Sequence, residues 1–456
     1  MDGWAAVELS ELELGDKRLK QRAVKVLDAL SAAPTSSIPA ACGSWSSSKA
    51  AYRFFDNDRV KASAVREAHA VRTVQRMEGR SRVLLVQDTT GLDYTRHRGT
   101  RGLGALDNHW IVGLKQHTVL AVGTDGTPLG VVHQEIWARD DAEAGVKRRH
   151  KALPIQAKES YRWVRSLEQS RSRVPPAVVT ITVADREADI YEVFAAARPG
   201  RSELLIRAAQ DRRVATEQRY LWDSVSAVEP CGTMTVSIAR SGDRPARTAT
   251  LRIRFRSVEL LPPSRPAGSG PLPPVWVTAI LAEEVAPPAG GEAVCWLLLT
   301  TLAVEDAAAA EQCVRWYSCR WLVERYHYVL KSGCQVEELQ LESAERLERA
   351  LALYSMVAWR LLWLTYESRL RPDESCEVAL SRAEWQSLYA TTHKTAQVPE
   401  TPMPLRQAVR WIAQLGGFLG RKSDREPGVK TLWRGWMRLI DITATWSILR
   451  PDVGNG

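Results

Sequence analysis

Residues Tyr317 to Lys331, YSCRWLVERYHYVLK, constrain the chain more than any other stretch, because they set one carboxylate among two cations and a phenol in a fixed order. In a helical run expected from about residue 305, a turn of about 100° per residue places Tyr317, Arg320, Glu324 and Lys331 within an arc of roughly 60°. At ~1.5 Å per residue the row is about 21 Å long, enough to lie beside several phosphates of a duplex strand. Taken alone, such a face is either a solvated charged helix surface or a place where Glu324 holds a metal ion while its neighbours grip DNA. The second reading requires further acids brought to Glu324 by the fold, and two candidates lie upstream.

Val83-Leu84-Leu85-Val86-Gln87 runs into Asp88, and Val178 to Ala184 (VVTITVA) runs into Asp185. A short β-branched run closed by an acid is how an open α/β sheet delivers a side chain to the carboxyl edge of its strands. Three acids, two at strand ends and one on a late helix, make an all-oxygen donor set suited to Mg²⁺ or Mn²⁺. After Asp88 comes a basic, glycine-rich loop, Arg96 to Gly104. Two strands then follow, HTVLAVGTDGTPLGVVHQEIWAR, joined at Thr124-Asp125-Gly126-Thr127, where Asp-Gly signals a hairpin. A helix is expected from about 152 to 170. Three antiparallel strands, a helix and a fourth strand are the order of an RNase H-like core, an α/β fold whose mixed sheet is flanked by helices; the helix around Glu324 completes it.

The span from Asp185 to Glu324 then contains an insertion, expected to be all-β over about 200–303. Met234, Val236 and Ile238 alternate with polar residues, a turn is expected at Ser241-Gly242-Asp243, and Leu251, Ile253 and Phe255 alternate with Arg252, Arg254 and Arg256. Period two puts those three arginines on one face, either a solvated outer surface or a phosphate rail. Arg207, near the head of the insertion, is a further candidate DNA contact.

Helical parts are expected on both sides of this catalytic region of about 66–366: one over 1–65 and one over 367–456. In the first, Leu14-Gly15-Asp16 precedes Lys17, Arg18, Lys20, Arg22 and Lys25, an acid at a helix start with a basic flank behind it. Arg18 and its neighbours form either a DNA-contacting helix or an ordinary solvated face. In the last, Trp436, Leu439, Ile442 and Trp446 make an apolar stripe on a helix near 431–449, which packs in its own domain or on a second subunit. A formal charge of +9 fits a polyanionic partner. Seven cysteines without a CxxC pair point to reduced thiols in a cytoplasmic protein and away from structural zinc. No leader pattern and no run of about eighteen apolar residues occurs, so neither secretion nor a membrane span is expected.

The spacing of Tyr317, Arg320, Glu324 and Lys331 resembles the Y-R-E-K signature of the insertion-sequence-four group of DDE transposases. Asp185-Arg186-Glu187-Ala188-Asp189 is similar to that family's stretch around the second acid, and Gln87-Asp88-Thr89-Thr90 to the stretch around the first. Collinear likenesses continue through Gly15-Asp16, Ala51-Tyr52-Arg53-Phe54, the run from Leu129 to Glu135, Trp296-Leu297-Leu298-Leu299-Thr300 and Leu415-Gly416-Gly417-Phe418, so nearly the whole chain is covered. The resemblance implies an enzyme that binds terminal inverted repeats, works as a homodimer in a synaptic complex, excises an element through a hairpin intermediate and inserts it into target DNA. It implies Asp88, Asp185 and Glu324 as a catalytic triad holding two Mg²⁺ ions about 4 Å apart, with Mn²⁺ as a substitute. It implies Tyr317, Arg320 and Lys331 as DNA contacts near the scissile phosphate, and Trp296 as a strand residue that stacks on a flipped base, unless it is simply buried. Two rivals stand beside this reading: a catalytically silent DNA-binding regulator or inhibitor of the same fold, and a metal-dependent nuclease or phosphohydrolase unrelated to transposition.

Overall fold

The computed structural model describes residues 3–108, 110–139, 153–196, 200–238, 247–263, 272–288, 292–421, 424 and 426–450. Five helices come first: α1 (Trp4–Glu8), α2 (Lys17–Ala32), α3 (Ile38–Cys42), α4 (Trp45–Phe55) and α5 (Ala62–Gln75). Three of them start where a short polar side chain takes up an orphan amide: Asp16 accepts from Arg18 N at 2.9 Å, Ser37 from Ala40 N and Ser44 from Ser47 N.

The sheet starts with β1 (Arg82–Asp93), β2 (Gly104–Ala105), β3 (Val112–Gly123) and β4 (Pro128–Trp137). The Asp-Gly signal marks the β3–β4 hairpin: Gly126 takes φ +91°, and Asp125 caps the turn by accepting from Thr127 N at 3.0 Å. Then come α6 (Tyr161–Arg173), β5 (Val179–Ala184), α7 (Tyr191–Ala195) and β6 (Ser202–Arg207). The expected helix at 152–170 thus begins later, at Tyr161; residue 152 lies outside the described residues. β5 runs parallel to β1, and β6 parallel to β5, giving the mixed sheet expected of an RNase H-like core.

The insertion differs from expectation in two respects. Its first strand, β6, is part of the core sheet, and a short helix, α8 (Leu221–Ser226), precedes the remaining strands β7 (Gly232–Ile238), β8 (Arg247–Leu260), β9 (Val275–Glu284) and β10 (Cys295–Thr300). β10 pairs antiparallel with β6, and β9, β8 and β7 follow in turn, so the insertion continues the core sheet. The result is one sheet of ten strands, ordered β2-β3-β1-β5-β6-β10-β9-β8-β7, with β4 also on β3. The turn expected at Ser241 to Asp243 lies outside the described residues. Of the three β8 arginines, Arg254 is engaged by Glu283 at 2.7 Å, and Arg256 by Gln218 and the Ser224 carbonyl; only Arg252 fits the open-rail reading.

The stretch expected as one straight helix is broken twice. α9 (Ala307–Ser318) ends in a turn at Cys319 and Arg320, α10 (Trp321–Tyr328) restarts, and a π-helical turn, Val329–Gly333, closes it. Each break changes the angle per residue, so Tyr317 to Lys331 do not form the continuous row that uniform helix arithmetic gives. Behind it runs α11 (Ala344–Leu370), buried along most of its length. The C-terminal part holds α12 (Arg382–His393), α13 (Leu405–Leu415) and α14 (Val429–Leu449) around a core that includes Trp385, Leu388, Ile412, Trp436 and Leu439. No described helix is long and apolar enough to cross a membrane, and all seven cysteines are free.

Candidate active site

Strand alternation builds the site. Leu84 and Val86 on β1, Ile181 and Val183 on β5, Leu205 on β6 and Leu298 on β10 belong to one core cluster, shared with Val314, Val323 and Tyr326 of the overlying helices. With a side-chain period of two, the next residues on that face are Asp88, Asp185, Arg207 and Trp296. The apolar columns therefore hand over, at one end of the sheet, to two acids, an arginine and a tryptophan. β1 does not end at Asp88, as the sequence suggested. It stays paired with β3 to Asp93, but its last partner on β5 is the Val86–Val183 pair, so Asp88 stands just past the split between the two strands. Asp185 stands just past the same split and caps the turn Arg186–Ala188, accepting from Glu187 N at 2.9 Å. The aspartate that closes that turn, Asp189, is structural. It accepts from Ala209 N at 2.6 Å, Gln210 N at 2.7 Å and Arg212 Nε at 2.9 Å, bolting the turn to the segment after β6.

Glu324 joins from α10. The three carboxylates lie within electrostatic reach of one another: Asp88 acts on Asp185, and both act on Glu324. Burial pushes Asp185 upward, and the charge of Asp88 adds to the shift. Burial likewise raises Glu324, with Arg320 opposing and the other two acids reinforcing. At Asp88 burial pulls upward too, but His327, Arg320 and the Thr89 amide outweigh it and leave the carboxyl below its ordinary value. The three acids act on one another with the Arg320 guanidinium among them, an all-oxygen donor chemistry that fits a hard divalent cation. Glu324 is turned onto Arg320, at 2.6 Å. Among the described residues no three His, Cys, Asp or Glu side chains are gathered tightly enough to hold one ion as they stand.

The other expected site residues are placed as follows. Tyr317 is buried, its ring edge-on to Trp296 at 5.2 Å, and its hydroxyl has no well-formed hydrogen bond. Arg320 Nε is likewise buried without a partner. Arg207 donates to the Cys295 carbonyl at 3.0 Å and acts electrostatically on Asp185 and Tyr317, so it lies in the same neighbourhood. Trp296 is only 9% exposed. Lys331 is turned to the Gly91 carbonyl, at 2.9 Å, and to Glu337, at 3.0 Å, bracing the far half of β1. Arg18 is fully displayed at the start of α2 beside Asp16, and none of its contacts among the described residues is to the three acids.

Sequence reasoning missed His327 and Arg162. His327 Nδ1 lies 3.6 Å from Asp88 Oδ2, and its spacing of three from Glu324 on one helix was a legible signal. Arg162 of α6 donates to Thr89 Oγ1 at 3.1 Å and pairs with Glu187 at 2.9 Å, linking the flanks of both strand acids. Nothing in its local sequence announces that role.

Three family models match the chain in order. Residues 1–60 match a family described as transposase DNA-binding, residues 83–360 one described as transposase DDE domain, and residues 356–445 one described as transposase Tn5 dimerisation domain. The chain thus carries regions for binding DNA and for pairing with a second copy on either side of a catalytic domain. The second match alone spans well over half of the 456 residues and contains Asp88 and Asp185 of the sheet face described above and Glu324 of α10. The chain belongs to the DDE transposases, of the Tn5-like kind, and is a DNA transposase.

Proposed function

We propose that this transposase cuts and joins DNA at terminal inverted repeats by a divalent-metal-dependent, cut-and-paste route with a hairpin intermediate, working as a homodimer in a synaptic complex. The observation that carries the reading is the convergence of three mutually acting carboxylates, two on one sheet face and one on α10, beside the buried pair Tyr317 and Arg320, whose Oη and Nε lack well-formed hydrogen bonds. Buried donors left unpaired cost free energy, and a phosphate oxygen is a ligand that satisfies both.

Asp88, Asp185 and Glu324 are the residues that would hold Mg²⁺ or Mn²⁺, which supplies Lewis acidity to the entering and leaving oxygens of an in-line displacement. Arg320 neutralises Glu324 until DNA arrives. A phosphate competing for its guanidinium frees the carboxylate to join the other two. Tyr317 orients the same phosphate through its hydroxyl, Arg207 adds positive charge at the edge of the site, and Lys331 fixes the strand beyond Asp88 while its ammonium stays half-exposed. For Trp296 to stack on an extruded base, its edge contact with Tyr317 must open, so base capture and phosphate positioning are coupled through that ring pair. Arg18, exposed at the start of α2, meets the backbone of the end sequence.

The test is Glu324→Gln on the gene's own flanking DNA, with and without Mg²⁺. Retained DNA binding with nicking, hairpin and strand-transfer products all lost is the expected result. Undiminished cleavage by the variant removes Glu324 from the mechanism, and a wild-type chain that binds but never cuts supports the silent regulator instead.

A further inference from the structure

His327 touches the site without belonging to the acid triad. It is 5% exposed, its Nδ1 faces Asp88 Oδ2 at 3.6 Å, and its Nε2 lies 3.2 Å from Thr118 Oγ1. Thr118 is the β3 residue directly opposite Asp88 in the strand register. The order of donors along this line follows from the carboxylate, which when ionised can only accept and so favours the imidazole N–H on Nδ1, the atom that faces it. A neutral ring then leaves Nε2 to accept from the Thr118 hydroxyl, whose oxygen takes the Gln116 Nε2 donor at 3.3 Å. The relay Gln116, Thr118, His327, Asp88 therefore fastens α10 to the β1–β3 pair by a route that bypasses Glu324, three residues earlier on the same helix.

We propose that His327 is a positioning residue that fixes the orientation of the Asp88 carboxylate, and with it the spacing between Asp88 and Glu324, for divalent-ion binding. This rests on the reading of Asp88 as a metal ligand. Glu324 alone cannot supply the alignment, since its carboxylate is held by Arg320 and must move. A partner that orients a ligating carboxylate is typically worth about 10- to 100-fold in metal affinity.

The experiment titrates Mn²⁺ alone into the full chain bound to its flanking-repeat duplex, reading free ion by electron paramagnetic resonance. His327→Leu, which keeps the volume and removes the relay, is expected to weaken Mn²⁺ binding about 10- to 100-fold and to raise the Mn²⁺ concentration for half-maximal cleavage by a similar factor. His327→Asn, which keeps a donor near the Nδ1 position, is expected to stay within several-fold of wild type. Should His327→Leu fail to fold, Thr118→Val removes the relay at nearly constant volume and is expected to weaken binding by about 10-fold, the lower end of that range. Asp88→Asn serves as the control and should abolish the tight component. Wild-type Mn²⁺ affinity in His327→Leu or, where that chain does not fold, in Thr118→Val overturns the proposal, as does an asparagine variant no better than leucine. Wild-type affinity in Asp88→Asn overturns the metal reading beneath it and the proposal with it.

Discussion

Asp185 and Glu324 hold carboxyls raised above the ordinary range by burial first and by neighbouring negative charge second. For an acid raised in the folded state, the stabilising contribution is present in acid and is lost as pH climbs through the raised value. At neutral pH the two charges are therefore a burden on the fold. Asp185→Asn is expected to raise Tm by about 2 °C at pH 7, a gain that disappears near pH 4, while cleavage is lost; calorimetry at the two pH values checks it. Cleavage has the opposite dependence, because only ionised carboxylates take up a cation. Protons and cation therefore compete, and the Mg²⁺ concentration for half-maximal cleavage should rise as pH falls toward the raised values, which Mg²⁺ titrations at several pH values check. At this scale the sequence was informative where strand periodicity governs. Asp88 and Asp185 follow Val86 and Val183 by two, so their common face could be read from the alternation of apolar residues. It was silent on the helix breaks at Cys319 and Val329, because a 100° step says nothing about where a helix unwinds, and so Tyr317 and Lys331 turned out to be inward-facing or braced.

Among the elements, the crossing of α13 and α14 depends on two glycines. A Cβ on Gly435 would fall 1.6 Å from the Ile412 carbonyl, and one on Gly416 would fall 2.0 Å from the Thr431 carbonyl. The run Leu415-Gly416-Gly417-Phe418 thus has a packing origin: Gly416 admits the neighbouring backbone and Gly417 takes φ +95° to turn the chain away. Gly435→Ala should cost about 2–3 kcal/mol of stability in the C-terminal part, measured by denaturant titration, and should weaken self-association because the matched dimerisation region spans this crossing. The apolar stripe on α14 divides along its length. Trp436 and Leu439 are buried in the C-terminal core, and Ile442 and Trp446 further along are half-buried. The first half of the stripe therefore packs within its own domain.

Across the molecule, the N-terminal helices are tied to the catalytic sheet by a buried ionic cluster. Glu8 of α1 accepts from His69 Nδ1 at 2.5 Å and pairs with Arg76, while His69 Nε2 accepts from Val131 N on β4 at 2.9 Å. Burial lowers His69 below its usual 6.5, and Glu8 is lowered despite its burial because His69 and Arg76 hold its charge. Both shifts act in one direction: the His69 contribution fades as pH falls below about 6.5, and the Glu8 contribution goes as pH falls through its own lowered value. Glu8→Ala should cost about 3 kcal/mol, seen as a lower denaturation midpoint, by leaving Arg76 without its acid. DNA binding by the whole chain should weaken steeply with salt, with a log–log slope of roughly −5 if about six phosphates are neutralised; a flat response in a filter-binding series would contradict the basic contacts.

Since β10 through β7 extend the sheet outward from β6, the inserted segment doubles as an edge guard for the catalytic core. A shortened chain lacking residues 232–300 would leave the amides and carbonyls of β6 bare along one side, an adhesive border inviting a neighbouring molecule's strand. Such a chain is expected to clump when concentrated even though every acid of the site is retained.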